Sequence, residues 1–88
     1  MMHQKQHTLC DIMVNDCACI ENIITTGSMR RRLLDLGFVK GTQVKCIQKN
    51  YTGETLAFSI RGSIIVLRSN DARNITVESI NEMEVSNE

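Results

Sequence analysis

The sequence predicts a mainly β fold: a small, mostly antiparallel β-barrel of about five strands, with one short α-helix at about residues 28–36 plugging an open end. Three observations point there. Apolar and polar residues alternate with period two in short runs, most clearly where Leu56, Phe58 and Ile60 alternate with Ala57, Ser59 and Arg61. Turn-forming residues separate the runs, as at Asn15-Asp16, Thr25-Thr26-Gly27 and Arg61-Gly62-Ser63. The 88 residues have room for a single domain with a small core. For such a chain, closing the sheet on itself removes exposed strand edges.

The elements follow in order. Residues 1–8 read as a flexible tail. Thr8 is suited to cap a short turn through Val14, with Leu9 and Met13 on one side. Cys17 to Ile24 reads as a strand that turns Ala18 and Ile20 to one face and Cys17, Cys19 and Glu21 to the other. Ile23 and Ile24 are adjacent, so a bulge near Asn22 is needed to return Ile23 to the core. Ser28 is the expected N-cap of a helix from Met29 to Leu36, with Met29, Leu33 and Leu36 on one stripe and Gly37 just past its end. Only about two turns long, that helix depends on docking against the sheet.

A glycine turn at Gly41 leads into a strand from Gln43 to Lys49, with Val44 and Cys46 alternating. Tyr51–Glu54 lies in a loop. Leu56–Ile60 and Ile64–Arg68 then read as a hairpin, with Ile65 and Leu67 as the inward set of its second arm. A turn over Ser69–Asn74 precedes a last short strand, Ile75–Glu78. Residues 79–88 are acidic and read as a second flexible tail. The expected domain is 9–78.

Composition narrows the function. Ten Lys+Arg balance ten Asp+Glu, and the aromatic share is 3%. A neutral chain with so few aromatics lacks the footprint of a nucleic-acid binder. No run nears the ~18 apolar residues that cross a bilayer, so membrane insertion is not expected. The opening residues form no secretory signal, which places the chain in the cytoplasm, with its four cysteines as thiols. His3 and His7 both fall in the tail, away from any scaffold that could hold an acid–base pair, so no enzyme is expected. Phosphate-cradling glycine motifs are missing.

Two groups of residues could still carry function. Cys17 and Cys19 place two thiols on one strand face and are the metal-ligand candidates, for Fe(II) or Zn(II). The bland alternative makes them ordinary strand residues, with Cys46 in the core and Cys10 partly buried. Arg30, Arg31 and Arg32 put three cations in the first helical turn, against the helix dipole, at roughly 0.3–1 kcal/mol each if exposed. Either they form a solvated face with one arginine folded back on the barrel, or they join Lys40 in a contact surface. Exposed strand edges also leave a homodimer open.

Met29-Arg30-Arg31-Arg32-Leu33-Leu34-Asp35-Leu36-Gly37, followed by Gly41-Thr42-Gln43-Val44, closely resembles the central block of the FeoA family. The Gly62 to Arg68 segment is similar to the family's later glycine-to-Leu-Arg segment, and Ala72 to Val77 to its closing one. The opening Leu9 to Ile12 also matches. The blocks come in the family's order over about residues 8–78. The resemblance implies an SH3-like barrel and a small cytosolic accessory of the FeoB-type ferrous iron transporter, which carries a GTP-binding domain. A transition-metal-binding regulatory module is the competing role. Lys40 stands where the family often has proline, and the Tyr51–Glu54 loop is shorter than its usual proline-bearing loop. The expected partner-binding residues are Arg30, Arg31, Arg32, Lys40, Tyr51 and Glu54, with no cofactor required.

Overall fold

A two-residue turn sets the hydrogen-bonding phase of half the sheet. Arg61 and Gly62 take φ of 52° and 83°, the paired left-handed values of a type I′ hairpin. They join β4 (Thr55–Ile60) to β5 (Ser63–Arg68) in unbroken register, from Ile60 opposite Ser63 to Thr55 opposite Arg68. The computed structural model describes residues 7–79. Within them lie β1 (His7–Thr8), a 3₁₀ turn (Leu9–Asp11), β2 (Cys17–Ile23), α1 (Gly27–Leu36), β3 (Gln43–Lys49), α2 (Ser69–Ala72) and β6 (Ile75–Ser79), besides the hairpin. The strands form one antiparallel sheet in the order β1-β6-β2-β3-β4-β5.

That order corrects two expectations. His7 and Thr8, counted with the tail, pair with Val77 and Thr76 as a sixth strand. Residues 1–6 and 80–88, the rest of the expected tails, lie outside the described residues. Among the described residues the sheet also does not close, because its ladder ends at β1 on one side and β5 on the other. Side chains and short turns join the two ends instead. The Cys10 thiol donates to the Ser69 carbonyl at 3.3 Å, and Lys49 Nζ donates to the Cys10 carbonyl at 3.2 Å. The first bond ties the 3₁₀ turn beside β1 to α2, which follows β5, and the second ties the same turn to β3.

The expected bulge is present. Ile20 faces Val77 and Asn22 faces Thr76, so Glu21 is the extra residue. Ile23 is buried as a result, while Ile24 points to solvent. A second irregularity follows Cys46 in β3. Thr8 caps the 3₁₀ turn through a capping box with Asp11. Three residues per turn put Leu9 beside Ile12. Ile12 is therefore buried and the expected Met13 is exposed.

Helix α1 starts earlier than expected. Thr26 is its N-cap, without a side-chain hydrogen bond, and Ser28 lies inside the helix. Its C-terminus is locked more firmly. Gly37, at φ 111°, sends its N–H to Leu34, and Phe38 sends its own to Leu33, both at 3.0 Å. This double closure satisfies two terminal carbonyls and sets buried Phe38 against buried Leu33. A Cβ on Gly37 would meet Arg61 Cδ at 3.0 Å, which is the movable part of a flexible side chain. The left-handed φ is the harder constraint. Gly37→Ala should cost about 1–3 kcal/mol in denaturant unfolding. Adding Arg61→Ala should not restore it; recovery in the double variant would assign the cost to crowding.

Candidate functional site

The arginines of α1 do not form one patch. Successive helical residues point about 100° apart, so the three leave the helix in three directions. Arg30 is half-buried, and its Nη1 donates to the Ile23 carbonyl at 2.7 Å. It ties the start of α1 to the end of β2, the folded-back arrangement. Arg31 is exposed and borders an open hollow of about 480 Å³ with Gly27, Ser28 and Leu34. Arg32 is also exposed and faces the other way, over a groove between α1 and β5. Among the described residues, neither Arg31 nor Arg32 has a hydrogen-bond partner.

The groove encloses about 500 Å³. Met29 and Leu33 of α1 and Val66 and Leu67 of β5 are its apolar lining, and Arg32, Arg68 and Asp71 its charged residues. It exists because α1 lies beside the β5 edge. Its N-terminal half faces Val66 to Arg68, and its terminal Gly37 lies under the Arg61 stem.

The other expected site residues divide between the two ends of β3. Lys40 is exposed in the turn closed by Thr42 N–H on the Val39 carbonyl at 3.0 Å. It holds the second turn position, ahead of Gly41 at φ 91°, where proline is also favoured. Tyr51 is 99% exposed at the tip of the β3–β4 loop. Asn50 Oδ1 braces that loop by accepting from the Thr52 N–H and hydroxyl at 2.9 and 2.8 Å. The seven residues of β3, about 23 Å of extended strand, lie between Lys40 and Tyr51. Glu54 is exposed, and its carbonyl accepts from Ser69 N–H at 2.9 Å. The Tyr51–Glu54 loop therefore shares the Arg68 end of β5 with the groove, and Lys40 does not.

Cys17 and Cys19 are half-buried on β2, with Lys45 and Gln43 opposite them on β3 and Glu78 opposite Cys19 on β6. Among the described residues, no three His, Cys, Asp or Glu side chains converge as metal ligands would. His7 sits in β1, opposite Val77. Cys46 is in the core and Cys10 is half-buried; burial pushes both thiols up from the ordinary cysteine range. Sequence reasoning missed Arg68, Ile64 and Val66. The inward placement of Ile65 and Leu67 already implied that the residues between them face out.

A six-stranded antiparallel sheet with one helix across its open side, and a groove between the two, defines a small SH3-like domain. The FeoA domain family matches residues 7–79, and the chain belongs to that family. A Campylobacter jejuni protein provisionally named Fe(2+) transport protein A is 30% identical over 73 residues, covering 83% of this chain and 99% of that one. An FeoA-like protein from Clostridium acetobutylicum superposes with a TM-score of 0.79 at 28% identity, over 91% of this chain and 93% of that one. FeoA from Stenotrophomonas maltophilia, solved in complex with zinc, gives 0.72 at 29% identity, over 81% and 88%. The family is associated with Fe(II) transport. Among the described residues, no helix is long and apolar enough to cross a membrane.

The arginines should separate by role. Arg30→Ala loses a charged hydrogen bond and should destabilise the protein by about 1–3 kcal/mol. Arg31→Ala and Arg32→Ala should stay within about 0.5 kcal/mol of the parent. Thermal and denaturant unfolding would show this, and equal effects at the three positions would refute the assignment.

Proposed function

We propose that this chain is a non-enzymatic accessory of ferrous iron uptake that binds and modulates the cytosolic part of an FeoB-type transporter. One observation carries the reading. Arg31 and Arg32 stand exposed in the middle of α1, with no hydrogen-bond partner among the described residues. Such unpaired cations are open to the carboxylates of another protein. Membership of a family associated with Fe(II) transport supports the choice of partner. The same reading places the chain in the cytoplasm, at the membrane only through its partner, and treats 7–79 as the working domain.

Arg32 and the Tyr51–Glu54 loop flank one end of the protein and form the principal contact. Arg31 and Lys40 extend the charged surface around the helix. Arg30 is left out, because its guanidinium is committed to Ile23. The alternative, a transition-metal-binding regulatory module, draws on the zinc in the Stenotrophomonas maltophilia structure. In this chain it rests on Cys17 and Cys19, and a closed structural zinc site takes four ligands.

Reversing both free charges tests the proposal. Arg31→Glu/Arg32→Glu should weaken capture of the transporter's cytosolic domain by about tenfold or more, equivalent to about 1.4 kcal/mol. Its melting temperature should stay near the parent's. Undiminished capture by the folded variant would remove these arginines from the interface.

A further inference from the structure

We infer that the β5 edge is a strand-addition site that takes an extended segment of another protein, apolar along its length and acidic at the end that reaches Arg32 and Arg68. The inference deepens the reading above, and rests on it only for which protein supplies the segment.

Hydrogen-bond phase is the first support. Ile60 and Ser63 flank the two-residue turn and are therefore a hydrogen-bonded pair. Pairs alternate along an antiparallel ladder, so Ile65 and Leu67 also bond to β4. Ile64, Val66 and Arg68 then turn their N–H and C=O groups away from β4, toward the free edge. The neighbouring ladder agrees: Cys46 sends its backbone groups to Asn15 and Asp16, not to Phe58 opposite. Among the described residues, no other backbone bond reaches Ile64 or Val66, while Arg68, as the N-cap of α2, leaves only its N–H on the edge because its carbonyl takes the first bond of that helix.

Exposure is the second support. Ile64 and Val66 are 65% and 62% exposed. The same two residues thus offer open backbone groups and uncovered β-branched side chains. Edges are usually blunted by shortness, a bulge, proline or an inward charge. Among the described residues, strand β1 offers an edge of only two residues. Strand β5 has six residues in regular register, without proline or bulge, and its inward positions are Ile65 and Leu67.

Charge selects the occupant. An added strand would set its inward side chains in the groove against Met29, Leu33 and Leu67, and its outward ones beside Ile64 and Val66. At the far end it meets Arg32 and Arg68, with Asp71 the one carboxylate of the lining. An acidic terminus fits that end. A second copy pairing through its own β5 would bring another Arg68 to the site and no new carboxylate.

The probe is an acetylated, fluorescein-labelled peptide, Glu-Glu-Val-Thr-Val-Thr-Val, titrated with the full chain and followed by anisotropy. Saturable binding is expected, weakened about tenfold or more by Val66→Lys and by replacing the two glutamates with lysines. Amide shifts should concentrate at Ile64, Val66 and Arg68. No saturable binding, equal binding of the lysine peptide, or unchanged binding by folded Val66→Lys would each overturn the inference. So would a concentration-dependent dimer that Val66→Lys abolishes, because the edge would then belong to a second copy. Transporter capture gives a separate readout. If the peptide binds the edge and the transporter is not captured, the proposed partner fails and the edge site stands. If the transporter is captured equally by Val66→Lys, which no longer binds peptide, that segment is not the transporter's.

Discussion

The open ladder is the constraint on which the rest depends. Six antiparallel strands run from β1 to β5 without meeting, so two edges must be managed. At β1 the described residues contribute only two positions to the edge. Between the ends, the Cys10 thiol on the Ser69 carbonyl makes a link that a closed ladder would have made with backbone, and the Lys49 ammonium fastens the same turn to β3. Along β5 the helix approaches but leaves a groove. A fully closed barrel of this size would have no place to receive a strand.

Helix α1 is stable in that position for reasons concentrated at its C-terminus. Its N-cap has no side-chain hydrogen bond, and its first turn carries no acidic residue to meet the dipole. The closure through Gly37 and Phe38 and the burial of Leu33 offset those losses. Arg30 adds a tether to the end of β2. One arginine in the run therefore serves the fold, which leaves its two neighbours for contact with other molecules. The position of the helix also decides the chemistry of the groove, because Met29, Arg32 and Leu33 all come from it.

Much of this was legible in the sequence, where local pattern and tertiary structure agree. The bulge beside Asn22 followed from two adjacent isoleucines that cannot both face a core. The Gly37 terminus and the inward Ile65 and Leu67 followed from spacing. Closure was not legible, because it depends on sheet curvature and on whether β1 and β5 meet, which no local pattern encodes. The pairing of His7 and Thr8 was missed for a related reason: two polar residues carry no alternation signal, and their partners are some 70 positions away. The arginine run was flagged, yet its division into one tether and two free cations needed the Ile23 carbonyl in place. For Arg68, the signal was hidden by its position at the end of a strand already read as half of a hairpin.

Amide hydrogen exchange along β5 tests the central claim most directly. The account predicts fast exchange at Ile64, Val66 and Arg68 and strong protection at Ile65 and Leu67, alternating within a single strand. Uniform protection across all five amides would mean that the edge is already paired, and would contradict the open ladder.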